Sequence, residues 1–191
     1  MKIVFATHNE NKLKEVKAFL PDNIQLISLQ EIECHEDIEE TATTLEGNAT
    51  IKADYVFDKY GLPCFADDTG LEVDSLHGAP GVYSARYAGE NANDNDNRKK
   101  LLHAMQSISD RSARFRTVVA LRLSKEEIYY FEGVCDGEIL EEERGDSGFG
   151  YDPVFQPLGY TKSFAEMDLD AKNKISHRGK AIQSLAAFFN Q

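Results

Sequence analysis

The chain has 191 residues and a formal net charge of −12, a balance that argues against a nucleic-acid duplex or an anionic membrane as partner, since both need a basic face. No apolar run approaches the ~20 residues of a membrane helix, and the length predicts a single domain over residues 1–191. Three widely separated cysteines (Cys34, Cys64, Cys135) with no CxxC pair point to reduced thiols in a cytoplasmic protein rather than to a disulfide framework or a zinc site.

Residues 2–6 form a short apolar run that reads as a buried strand. Thr7-His8-Asn9-Glu10-Asn11-Lys12 then opens a helix whose stripe is Leu13, Val16, Phe19 and Leu20, closed by Pro21-Asp22-Asn23. A strand, a polar loop and a helix start in succession make an anion site from unpaired N–H groups and the helix dipole. Lys12 lies in the first turn, against the dipole, and is better explained if it meets an anion. Residues 24–29 predict a second strand, and an acidic stretch follows that ends in Glu39-Glu40-Thr41. The next helix carries Leu45, Ala49, Ala53, Val56 and Tyr60 on one stripe and Asn48 and Lys52, four apart, on another; Gly61 and Pro63 stop it.

Residues 62–66 predict a strand that delivers Asp67-Asp68-Thr69-Gly70, expected to turn at Gly70 and leave as another strand through Leu71 and Val73. Adjacent carboxylates repel and raise each other's pKa, a cost that a divalent cation or a proton relieves. Asn91 to Asn97 is polar and caps a helix carrying Leu101, Leu102, Met105 and Ile108. Residues 114–123 alternate, turn at Ser124 to Glu127 and return over 128–135 as a β-hairpin, so the sheet is mixed and the class is α/β. Gly148-Phe149-Gly150-Tyr151-Asp152-Pro153 is a glycine loop able to present an aromatic ring to a flat ligand. Ser163 to Glu166 fits a capping box; Lys172 follows, and Ser176 caps a last helix with His177 and Arg178 in its first turn.

Basic residues thus pair with exposed backbone donors at three places (Thr7 to Lys12, Lys52, and Lys172 with the Ser176 to Arg178 turn that holds His177), an acidic set (Glu39, Glu40, Asp68) suits a hard cation, and one loop suits a base. Mg²⁺ is typically held by one or two carboxylates, waters and substrate phosphates. The combination points to a nucleoside polyphosphate with Mg²⁺.

On the ordered motifs Thr7-His8-Asn9-Glu10-Asn11-Lys12, Glu39-Glu40-Thr41 with Asn48-Ala49 and Lys52, Ala66-Asp67-Asp68-Thr69-Gly70-Leu71, Gly78 to Tyr87, Gly148 to Pro153 and Ile175 to Gly179, the whole chain resembles the inosine triphosphate pyrophosphatase family. That resemblance implies an elongated mixed β-sheet flanked by helices, two lobes with a central cleft, and a homodimer. It implies hydrolysis of ITP, dITP and XTP to the monophosphate and pyrophosphate by water attacking the α-phosphate. Asp68 would be the proton acceptor and a Mg²⁺ ligand, with Glu40 and Glu39 as metal partners and Lys52 beside them in the chemistry. Thr7, His8, Asn9, Glu10, Asn11, Lys12, Lys52 and Lys172 would contact the triphosphate, and Thr69, where serine is common, the substrate. Phe149, Gly150, Tyr151, Asp152, His177 and Arg178 would form the base pocket. Arg178 donates but cannot accept, so a 6-carbonyl purine is matched and a 6-amino purine opposed. Two other readings compete: a Maf-like pyrophosphatase of other specificity, whose motifs differ from the Ile-Ser-His-Arg-Gly ending here, and a sensor that binds a nucleotide without cleaving it.

Overall fold

The fold is taken from a computed structural model that describes residues 1–17 and 19–190. The strands are β1 (Lys2–Phe5), β2 (Gln25–Ser28), β3 (Cys64–Val73), β4 (Pro80–Gly81), β5 (Ser112–Arg122), β6 (Ile128–Ile139) and β7 (Phe155–Pro157). The α-helices are α1 (Glu10–Lys17), α2 (Leu45–Tyr60), α3 (Asp94–Ala104), α4 (Leu169–Ile175) and α5 (His177–Phe189). One mixed sheet runs β2-β1-β3-β5-β6-β7, with β4 paired to β3. Strand β1 is parallel to both β2 and β3, whereas β3–β4 and β6–β7 are antiparallel. Among the described residues no helix is long and apolar enough to cross a membrane.

The chain divides into two compact units. Unit 1 holds residues 1–68, 117–133 and 178–191, and unit 2 holds residues 69–116 and 134–177. In unit 1 both faces of the sheet are covered, and side-chain alternation sorts its residues. Ile3, Phe5, Phe65, Val119 and Leu121 pack with Val16 of α1 and Ala181, Ile182 and Leu185 of α5. Val4, Ala6, Cys64, Ala66 and Ala120 pack with Ala49, Ala53 and Val56 of α2. This explains why Val118 and Ala120, the off-phase positions of the predicted alternation, are buried as well. Phe5 and Phe65 stack at 4.6 Å across β1 and β3. The unit 2 core gathers Leu71, Val73, Leu101, Met105, Phe115, Phe155 and Phe164.

Helix ends follow the capping residues that the sequence supplies. Thr44 caps α2 through Gly47 N–H, and Gly61 ends it in the left-handed region at φ 63°. Asn93 and Asp96 form a capping box on α3, and Ser163 and Glu166 form another on a 3₁₀ turn. All three cysteines are buried; Cys64 donates to Ala53 C=O, and burial pushes its thiol up to about 12.

The expected turn at Gly70 is not there. Strand β3 is one ten-residue strand that carries Asp67, Asp68, Thr69 and Gly70 without a break. The glycine answers a steric demand instead: β4 crosses so closely that a Cβ at Gly70 would meet Gly81 O at 2.7 Å. Gly70→Ala should therefore cost about 1–3 kcal/mol, because the neighbour is backbone and cannot swing aside. Urea unfolding should show a lower midpoint at an unchanged slope; a midpoint equal to wild type would contradict the close approach.

Candidate active site

Asp67 and Asp68 are neighbours on β3, so their side chains point to opposite faces of the strand. Asp67 shares the Phe65 face, where α1 and α5 pack. Its Oδ1 accepts from Lys12 Nζ at 2.9 Å and its Oδ2 from Arg178 Nε at 3.2 Å, and Arg178 Nη1 reaches on to Glu15. Asp67 is 1% exposed and Arg178 2%. Burial alone would raise the Asp67 carboxyl, but Lys12 and Arg178 overrule it and hold the group below its ordinary range. Lys12 is lowered, chiefly by its own burial.

Asp68 shares the Ala66 face and meets α2. Asn48 Nδ2 donates to Asp68 Oδ2 at 3.1 Å, while Asn48 Oδ1 accepts Ala42 N–H at 2.9 Å. Lys52 Nζ lies 2.5 Å from Glu40 Oε1 and 3.8 Å from Asp68 Oδ1. Burial raises the Asp68 pKa and Glu40 adds to it, with Lys52 opposing. Lys52, pulled down by burial, is carried net upward by Asp68 and Glu40. Lys12 and Arg178 thus meet Asp67 and Glu15 on one face of the strand, and Lys52 meets Glu40 and Asp68 on the other. Two hard-oxygen donors, Asp68 and Glu40, drawn to one ammonium suit a divalent cation. Among the described residues no three His, Cys, Asp or Glu side chains gather closely enough to hold a metal. Glu39 is exposed in the segment before α2.

The Thr7–Lys12 loop departs from expectation in one respect. Several of its N–H groups already have a partner within the loop: Thr7 Oγ1 accepts Asn9 N–H, and Asn9 Oδ1 accepts the N–H groups of Asn11 and Lys12. Asn9 is therefore the cap of α1. His8 contacts Glu36 C=O through Nε2 at 3.0 Å, and Glu10 is exposed.

In unit 2 the glycine loop surrounds Asp152. Phe149 N–H and Lys172 Nζ both donate to Asp152 Oδ2, at 3.0 and 2.7 Å. The Lys172 ammonium stands 5.1 Å from the centre of the Phe149 ring. Lys172 thus stands against the glycine-loop residues Phe149 and Asp152. Phe149 is half-buried, whereas Tyr151 joins the core and donates its hydroxyl to Ser84 C=O at 2.7 Å. His177 is 3% exposed and stacks on Phe115 at 4.5 Å. Thr69 is half-buried on β3.

Sequence reasoning did not single out Glu15. A glutamate beside Val16 on a buried stripe was the available signal, but nothing local names Arg178, 163 positions away, as its partner. Asn48 was visible as the i−4 neighbour of Lys52, though not in its role of joining Ala42 to Asp68.

Asp67→Asn should lower stability at neutral pH by about 3–5 kcal/mol, since it leaves Lys12 and Arg178 buried with one counter-charge fewer. The folded pKa of Asp67 lies below the unfolded value, so its contribution is present above the unfolded pKa and is lost as pH falls through the folded one. Stability measured against pH should therefore lose part of its acid limb in the variant. An acid limb as steep as wild type would show that Asp67 does not carry this linkage.

The Ham1 family model matches residues 3–188. The chain is 58% identical over the full length of both proteins to a dITP/XTP pyrophosphatase of Christiangramia forsetii. It is 56% identical to a dITP/XTP pyrophosphatase of Flavobacterium johnsoniae, over 97% of this chain and 96% of that one. The solved structure of a HAM1 protein from Coxiella burnetii superposes with a TM-score of 0.92 at 42% identity, covering 100% of this chain and 98% of that chain. With the family model spanning nearly every residue, and relatives this similar at full length, the chain belongs to the Ham1 family.

Proposed function

We propose that this protein hydrolyses non-standard purine nucleoside triphosphates, dITP and XTP among them, to the monophosphate and pyrophosphate. The observation that carries the chemistry is Asp68: a carboxylate raised by burial, held by Asn48 and Lys52, beside a second carboxylate on the same lysine. A carboxylate with a raised pKa is the better proton acceptor for water attacking phosphorus. The relatives named as dITP/XTP pyrophosphatases support the substrate class.

The reaction asks little covalent work of the protein: it must place a water, accept its proton and balance charge. Asp68 accepts the proton. Lys52 fixes Asp68 and Glu40 relative to each other, and Lys12 balances charge on the polyphosphate. Mg²⁺ held by Asp68 and Glu40 would supply Lewis-acid polarisation of phosphate oxygens. Phe149 offers a stacking face for the base. Asp152 and Lys172 set an acceptor beside a donor, which complements the N1–H and 6-carbonyl edge shared by hypoxanthine and xanthine. Guanine carries the same edge, so its 2-amino group must be read separately. A sensor that binds without cleaving would have no use for Asp68 in this setting.

Pyrophosphate release from dITP, XTP, dATP and dGTP, with Mg²⁺ and with chelator, tests the reading. Rapid release from dITP and XTP that chelator stops is the expected pattern; equal turnover of dATP, or release of orthophosphate, would sink it. Asp68→Asn should cut turnover by about 10²–10⁴-fold while XTP binding stays measurable, and near-normal turnover would remove Asp68 from its role. Phe149→Ala should raise KM for dITP by up to about a hundredfold and leave kcat closer to wild type; an unchanged KM would make the ring a packing residue.

A further inference from the structure

The loop that carries Phe149 and Asp152 turns on two glycines and holds itself by Phe149 N–H to Asp152 Oδ2 and Asp152 N–H to Phe149 C=O. Gly148 and Gly150 both sit in the left-handed region, at φ 79° and 60°, and glycine loses more conformational freedom on ordering than any other residue. Helix α3 adds a hold from outside the loop, on Gly150. Asp94 Oδ2 accepts Gly150 N–H at 2.7 Å, and Arg98 Nη1 donates to Gly150 C=O at 2.8 Å. Asp94 and Arg98 are four apart and so share one face of the helix, and together they grip both the amide and the carbonyl of a single residue. Helix α3 is itself seated by Asn97, whose amide donates to Ala85 C=O at 2.9 Å and accepts Ala88 N–H at 2.7 Å. Ser84, next along the chain, takes the Tyr151 hydroxyl. The loop is thus bound into a closed frame: α3 to Gly150, α3 to residues 85–88, and Ser84 to Tyr151.

We propose that Asp94 and Arg98 are positioning residues for base recognition. They touch no base; by clamping Gly150 they hold the Phe149 ring and the Asp152 carboxylate at a set separation, so that the loop is ordered before the purine arrives. The proposal rests on the reading of Phe149 and Asp152 as the base platform. A loop ordered in advance avoids an ordering cost at binding, so loss of the clamp falls on KM and on discrimination between purines, not on the phosphoryl chemistry. Arg98 also lies 3.0 Å from Glu143 Oε1 through its Nε, and this ion pair gives a built-in control.

The experiment compares Asp94→Ala, Arg98→Ala, Asp94→Asn, Arg98→Lys and Glu143→Gln with wild type, reading amide hydrogen exchange over residues 149–151 together with KM and kcat for dITP and XTP. Both alanine variants should speed exchange in the loop and raise KM about three- to tenfold, with kcat within about twofold of wild type. Asp94→Asn keeps an acceptor and Arg98→Lys keeps a donor, so each should recover most of the lost KM. Glu143→Gln should stay near wild type. Faster exchange with an unchanged KM would overturn the proposal and leave the clamp a purely structural device. A KM rise in Glu143→Gln equal to that in Arg98→Ala would assign the effect to the ion pair and overturn it too. If wild type leaves dITP and XTP intact, the base-platform reading fails and the clamp's role with it; if wild type turns them over and the alanine variants keep a normal KM, only the clamp fails.

Discussion

An ionised carboxylate sits almost fully buried in the middle of a strand, and much of unit 1 follows from the need to neutralise it. Asp67 without partners would cost several kcal/mol, or would simply protonate. Lys12 and Arg178 prevent both. They arrive on helices near opposite ends of the chain, α1 and α5, and Glu15 balances the arginine. Three long-range conditions are met at once: α1 must turn Lys12 and Glu15 toward the sheet, α5 must begin where Arg178 reaches β3, and β3 must stay extended so that Asp67 faces them.

The same strand geometry separates two residues that look equivalent in sequence. Asp67 turns toward two cations and stays ionised; Asp68 turns toward an amide, a shared lysine and a second carboxylate, and is pushed the other way. Pairs of titratable groups whose surroundings drive them apart are the usual way one site acquires both an anchor and a proton acceptor. Here the division needs nothing beyond side-chain alternation and the identity of the helix on each face.

Much of this was legible beforehand. The helices of residues 10–17, 45–60 and 94–104 announce themselves through caps and apolar stripes, and the hairpin through its alternation. Lys12 and Asp68 stand out because their charges are awkward where they fall. What could not be read is what depends on distant partners. Gly70 looks like a turn because a local reading cannot know that β4 crosses there. The N–H groups of Asn11 and Lys12 look open because a local reading undercounts Asn9 as a cap. Asp94 and Arg98 look like ordinary surface charges on a helix until Gly150, more than fifty positions on, is brought against them.

The lysines expected to meet phosphate each already hold a carboxylate: Lys12 holds Asp67, Lys52 holds Glu40 and Lys172 holds Asp152. On the proposed function, a polyphosphate arriving at Lys12 and Lys52 would not fall onto bare positive charge. It would exchange one anionic partner for another, and gain only the difference between them. All nucleoside triphosphates carry the same three phosphates, so such an exchange would keep the shared part of the molecule from dominating affinity. Selectivity would then pass to the part that differs, the base.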